Sequence, residues 1–109
     1  SYRPLRRETL LAAVPAEWLA DGTVGPEHVA LAQLEARPLI LFPRQAAPAL
    51  HDLITGWFVR RGAMPSAGQQ AVQMQTIVGL VSAGLGFALV PESLRGLARD
   101  GVAYLPLSE

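Results

Sequence analysis

Short apolar runs alternate with amphipathic stretches along this chain, and proline or glycine closes almost every one. Thr9 to Val14 (TLLAAV) is a continuous apolar run halted by Pro15, as expected of a strand buried on both faces. Ala16 to Ala20 leaves room for one helical turn before the polar loop Asp21 to Pro26. Val29 to Ala36 (VALAQLEA) predicts a short helix stopped by Pro38. Leu39, Ile40, Leu41 and Phe42 then predict a second buried strand closed by Pro43. The plainest helix follows, with Leu50, Leu53, Ile54, Trp57 and Phe58 at the i, i+3, i+4, i+7, i+8 spacing of one apolar face. Pro48 suits its first turn and Gly62 its left-handed C-terminal cap.

Ser66 to Val72 (SAGQQAV) is a weaker strand. A second helix starts at about Met74, carries Ile77, Leu80 and Val81 on one face and stops at Gly84. Phe87 to Val90 predicts a strand closed by Pro91, Glu92 to Ala98 a short helix, and Val102 to Leu105 a last strand. Strands separated by helices imply βαβ units with right-handed crossovers. The expected fold class is therefore α/β, a small, mostly parallel sheet flanked by helices.

Length and composition then narrow the function classes. At 109 residues the chain forms one domain, and with 50% hydrophobic residues it can bury a core. It has no cysteine, which removes disulfides, thiolate nucleophiles and cysteine-bound zinc. Nine basic residues, all arginine, balance nine acidic ones, so the chain lacks the positive footprint that binding a phosphate backbone demands. Glycine or proline interrupts every apolar run well short of the roughly 20 residues that cross a bilayer. No secretory leader opens the sequence, and a first residue of serine reads as a segment of a longer chain.

Enzyme chemistry finds little support. His51 stands beside Asp52, but neighbours on a helix point about 100° apart and are not expected to form a relay, so His51 reads as a solvated or capping residue. His28 falls in a polar loop, and no histidine and carboxylate share metal-ligand spacing. Ser82 in LVSAG lacks the first glycine of a nucleophile elbow and lies inside a predicted helix. Gly84 and Gly86 follow a helix and open a strand, the reverse of a dinucleotide loop, so they serve to end the helix and turn the chain. No catalytic residue, metal or cofactor is expected.

Two segments carry more interest. The loop Phe42, Pro43, Arg44, Gln45 follows a strand, and ligands of open α/β sheets bind outside the carboxyl ends of strands. Arg44 is suited to clamp a carboxylate at two points; an ordinary surface arginine is the alternative. The helix start Gln73, Met74, Gln75, Thr76 gathers free N–H groups and the positive end of the helix dipole; plain N-capping is the alternative there. Both segments are expected at the same edge of the sheet.

The run QMQTIVGLVSAGLGFALVPESL, Gln73 to Leu94, resembles the late segment of the effector-binding domain of LysR-type transcriptional regulators. There a Gln-Thr pair opens a helix, a small-residue stretch ends it and G-x-A-L-V-P follows as a strand. LLAAVPAEWLA resembles the family's strand–proline–short-helix segment, where a His-Pro pair often stands in place of Glu17 and Trp18. LAQLEARPLILFPR is similar to its second strand entry and GVAYLPLSE to its closing strand. The resemblance covers nearly the whole chain, but one lobe only: the second lobe of a periplasmic-binding-protein-like (type 2) domain, spanning residues 1–109. Hinge-strand remnants are implied at Leu5 to Val14 and Val102 to Pro106, with the winged helix-turn-helix and first lobe outside this chain.

That resemblance implies a cytoplasmic bacterial regulator whose small-molecule effector, an anion if Arg44 binds it, sits between lobes. The second lobe's share would be Phe42, Pro43, Arg44, Gln45, Gln75 and Thr76. It also implies contact with DNA only through the absent N-terminal domain, and homo-oligomers formed through the face around Pro48 to Arg61 and the strand Ser66 to Val72. Arg60 and Arg61 are then rim charges or simply a favourable helix C-terminus. A lobe of a transporter's solute-binding protein is the competing reading.

Overall fold

The computed structural model describes residues 9–96 and 99–108. Its first strand, β1 (Leu10–Pro15), runs straight into α1 (Ala16–Ala20). Next come α2 (Leu31–Leu34), β2 (Pro38–Leu41), α3 (Pro48–Val59), β3 (Ser66–Gln70), α4 (Met74–Ser82) and β4 (Ala88–Pro91). A 3₁₀ helix (Glu92–Gly96) and β5 (Val102–Pro106) complete the chain.

The predicted elements of the α/β class are all present, and the sheet directions need a correction. β1 lies between β4 and β5 and is antiparallel to both, pairing Ala13 with Ala88 on one side and with Tyr104 on the other. Among the described residues only β2 and β3 pair as a parallel ladder. A parallel bridge between Leu39 and Phe87 joins the two sheets, with Ile40 N–H donating to Phe87 O at 2.8 Å and Phe87 N–H to Pro38 O at 3.0 Å. The spatial order is therefore β5-β1-β4-β2-β3. The expectation of a mostly parallel sheet fails at β1 because burial on both faces, which its apolar run does signal, is required of parallel strands but is not exclusive to them.

Side chains alternate across the strands as a pleat demands. Leu10, Ala12 and Val14 of β1 and Leu89 of β4 join Ile54, Trp57 and Phe58 of α3 in one buried cluster. Leu11 and Ala13, with Ala88 and Val90, join Ile77 and Val81 of α4 in the other. The sheet is thus sandwiched between α3 and α4. In the α3 layer the aromatic rings form a chain. Trp18 lies 6.5 Å from Phe87, Phe87 lies 6.4 Å from Phe58, and Phe58 meets Trp57 edge-on at 5.0 Å.

Two boundaries shift. The helix expected from Val29 to Ala36 is only Leu31–Leu34. Val29 is drawn into a parallel bridge with Leu107 instead, donating to Pro106 O and accepting from Ser108 N–H, both at 2.8 Å. The helix expected over Glu92 to Ala98 is 3₁₀ as far as Gly96; Leu97 and Ala98 lie outside the described residues, as do residues 5–8 of the first hinge remnant. Gly62 and Gly84 take the positive φ values, 72° and 84°, expected of helix-ending residues.

Candidate functional site

The two segments singled out from the sequence lie side by side. The last residues of the parallel pair, Leu41 and Gln70, are in register, and Ala71 N–H donates to Leu41 O at 3.3 Å. The chain then leaves β2 through Phe42 to Gln45 and leaves β3 into the start of α4. Phe42 holds the two exits together. It is only 8% exposed and packs in the cluster that contains Met74 and Ile77. The aromatic surface that the sequence offers a ligand is thus part of the core, since a phenylalanine beside a helix gains more from burial there than from water. It supports the site from beneath.

Pro43 opens a turn, its carbonyl accepting from Ala46 N–H at 3.0 Å, and lifts Arg44 and Gln45 into solvent. Arg44 does not point out alone. Its Nε donates to Asp52 Oδ1 at 3.0 Å and its Nη2 to Asp52 Oδ2 at 2.8 Å, a two-point clamp on the second turn of α3. The guanidinium, followed by the His51 contact, holds the Asp52 carboxyl below its usual pKa, and Asp52 raises that of Arg44 in return. His51 Nδ1 lies 3.4 Å from Asp52 Oδ1. Adjacent helical side chains do meet here, at a long distance, because the Asp52 carboxylate serves both neighbours. Asp52 is the site residue that sequence reasoning missed. Its only clue was an acid early in a helix, and its partner arrives through a proline turn eight positions earlier.

Plain capping does not explain the start of α4. Gln73 is the N-cap, and among the described residues no side chain caps the helix. Its carbonyl receives both Thr76 N–H and Ile77 N–H at 3.1 Å. The side chains of Gln75 and Thr76 are exposed, and among the described residues neither makes a hydrogen bond. The first-turn N–H groups of Met74 and Gln75 point away from the helix, where the dipole favours an anion or a carbonyl oxygen.

Other candidates have structural roles. Ser82 Oγ donates to Asp100 O at 2.7 Å and fastens the loop before β5 to α4. Arg61 stacks over the Trp57 ring at 4.2 Å and donates to Trp57 O at 3.0 Å, satisfying a carbonyl at the helix end. His28 is exposed in its loop. Among the described residues no helix is long and apolar enough to cross a membrane.

Comparison with known proteins shows the family and the fold. The LysR substrate binding domain family matches residues 1–109. The chain belongs to that family. It is 52% identical over 107 residues to the HTH-type transcriptional regulator IlvR of Caulobacter vibrioides, covering 98% of this chain and 34% of that protein. It is 35% identical over 105 residues to the regulator TtuA of Agrobacterium vitis, covering 96% of this chain and 34% of that one. The chain thus spans about a third of the length of the curated relatives it matches.

Among solved structures, the effector-binding domain of BenM with its effector benzoate superposes with a TM-score of 0.79 at 27% identity, over 95% of this chain and 46% of that one. Full-length CbnR in complex with its target DNA superposes with a TM-score of 0.82 at 26% identity, over 98% of this chain and 36% of that one. The fold is accordingly that of part of a LysR effector-binding domain, periplasmic-binding-protein-like in type.

Proposed function

We propose that this chain is the second lobe of the effector-sensing part of a bacterial LysR-type transcriptional regulator. The observation that carries the reading is the uncapped start of α4, with Gln75 and Thr76 exposed, beside the Pro43–Gln45 turn in a family defined by effector domains. Pro43, Arg44, Gln45, Gln75 and Thr76 are this lobe's side of a cleft, with Phe42 beneath them. A small molecule held there and on a first lobe shifts the regulator through its different affinity for two lobe arrangements. The lobe performs no catalytic step. Contact with DNA belongs to an N-terminal domain outside this chain, and the whole protein works in the cytoplasm.

Because Asp52 already occupies the Arg44 fork, an anionic effector must compete with that carboxylate. Homo-oligomers form through α3 and β3. Exposed Val59, Met64 and Val72 (65%, 82% and 67% accessible) flank that surface and support the assignment. The relatives are transcriptional regulators, which favours this reading over a transporter's solute-binding protein. The test is a small-molecule screen on the full-length regulator, followed by Gln75→Ala and Thr76→Val. The expected result is a hit whose half-maximal concentration rises about tenfold in either variant, the loss of one well-placed hydrogen bond. Unchanged responses in both would remove these residues from the site.

A further inference from the structure

A hollow of about 440 Å³, within the size range of small-molecule sites, opens between α3, the start of β1 and the end of β5. Its floor is apolar: Leu10 and Trp57 are buried, and Leu53 and Leu107 are partly so. Its rim is cationic, with Arg60 and Arg61 from the end of α3 and Arg95 from the 3₁₀ helix facing Glu92, the one acid among its described lining residues. A third of the arginines of a chain with no net charge converge there.

The rim is held in place. Glu92 N–H donates to Thr9 O at 2.8 Å, which ties the 3₁₀ helix carrying Arg95 to the start of β1. Arg61, stacked on Trp57, fixes the indole on one side while Phe58 meets it edge-on at 5.0 Å. Arg60 lies back along α3, its Nη1 3.0 Å from where a Cβ at Gly56 would stand. Among the described residues neither Arg60 nor Arg95 makes an ion pair, although Glu92 lies on the same rim.

We propose that this hollow is a binding site for a small organic carboxylate with an aromatic or branched apolar body, distinct from the Arg44 and Thr76 segment. The apolar floor takes the body of such a ligand out of water, and Arg60 and Arg95 meet its carboxylate with charge-assisted hydrogen bonds. An inorganic anion leaves the floor uncovered, and a neutral isostere leaves the guanidiniums unanswered. The site stands on its own geometry; its consequence rests on the regulator reading. It touches both the first and the last strand of the lobe, so a ligand here acts on the segments that lead toward the other lobe.

The two tryptophans make the test direct, because Trp57 lines the hollow whereas Trp18 packs on Phe87 and Arg37 elsewhere. Benzoate, benzamide and inorganic phosphate are titrated separately against this chain while the two indole N–H signals and the backbone amides are followed by NMR. The expected result is a saturable shift of Trp57 with benzoate at millimolar concentration, with Trp18 still and benzamide and phosphate about fivefold weaker or silent. Arg95→Gln and Arg60→Gln, both exposed substitutions, each weaken benzoate about fivefold. A silent Trp57, equal shifts with benzamide or phosphate, or no loss in either variant overturns the proposal. Shifts confined to Arg44, Gln75 and Thr76 overturn it while leaving the cleft reading intact.

Discussion

Arg44 and Asp52 form a parallel two-point pair, Nε to Oδ1 at 3.0 Å and Nη2 to Oδ2 at 2.8 Å, which pins the turn after β2 to α3. Both side chains are more than half exposed, so the pair orients the loop more than it stabilises the fold.

The Asp52 carboxyl should therefore titrate below the ordinary 3.8 in the folded chain, chiefly through Arg44. A depressed folded value means that its contribution to stability is complete above the unfolded pKa and disappears as pH falls through the folded one. Carboxyl ¹³C shifts followed against pH check this. The midpoint should return toward 3.8 in Arg44→Gln, and a wild-type midpoint at or above 3.8 would deny the pair.

In the full-length regulator the same pair sets the competition for an anionic effector. Asp52→Asn releases the guanidinium and should lower the half-maximal effector concentration, whereas Arg44→Ala should raise it. A reporter-gene titration reads both, each expected to differ from wild type by about threefold to tenfold. Identical curves for the two variants would assign Arg44 to the surface.

Gly86 should tolerate no side chain. Its φ is 150°, and a Cβ there would collide with the Pro38 carbonyl oxygen, the acceptor that anchors β4 to β2. Gly86→Ala strains the backbone and strikes another backbone at the bridge between the two sheets. A loss of about 3 kcal/mol is expected, enough to lower the melting temperature by more than about 10 °C. Calorimetry showing a shift of under about 3 °C would mean that the junction yields easily.

Tyr104, on the α4 side of the sheet, hides a hydroxyl oxygen that has no hydrogen-bond partner among the described residues. Burial raises its pKa above 10.0, with Arg99 pulling weakly the other way. Its contribution is thus full below the unfolded pKa and is lost as pH climbs through the folded value. Tyr104→Phe removes an orphaned polar group and should stabilise the chain by about 1 kcal/mol near neutral pH. It should also flatten the decline of stability in alkali. Denaturant melts at neutral and alkaline pH check both; a destabilised variant would show that the hydroxyl has a partner.

Much of this was legible before folding was considered. The stripe Leu50, Leu53, Ile54, Trp57, Phe58 specified α3 and its buried face, and Pro48 and Gly62 marked its two ends. The loop after β2 and the start of α4 were legible as neighbours because parallel strands place their carboxyl ends together. Strand direction was not legible at β1, since an apolar run reports burial and carries no sense of direction. Val29 was misread for a related reason. Its strand partner Leu107 lies at the far end of the chain, and local helical spacing outweighed a bridge that only the folded chain forms. The partner of Arg44 and the hollow at Trp57 were hidden because each is assembled from separate elements.

The most direct test of the central claim is the natural reading frame upstream of Ser1. The expected result is a basic winged helix-turn-helix, a linker helix and a first α/β lobe, which would complete a regulator around this one. A secretory signal leading into a solute-binding protein would contradict the account, leaving the fold in place and removing the function.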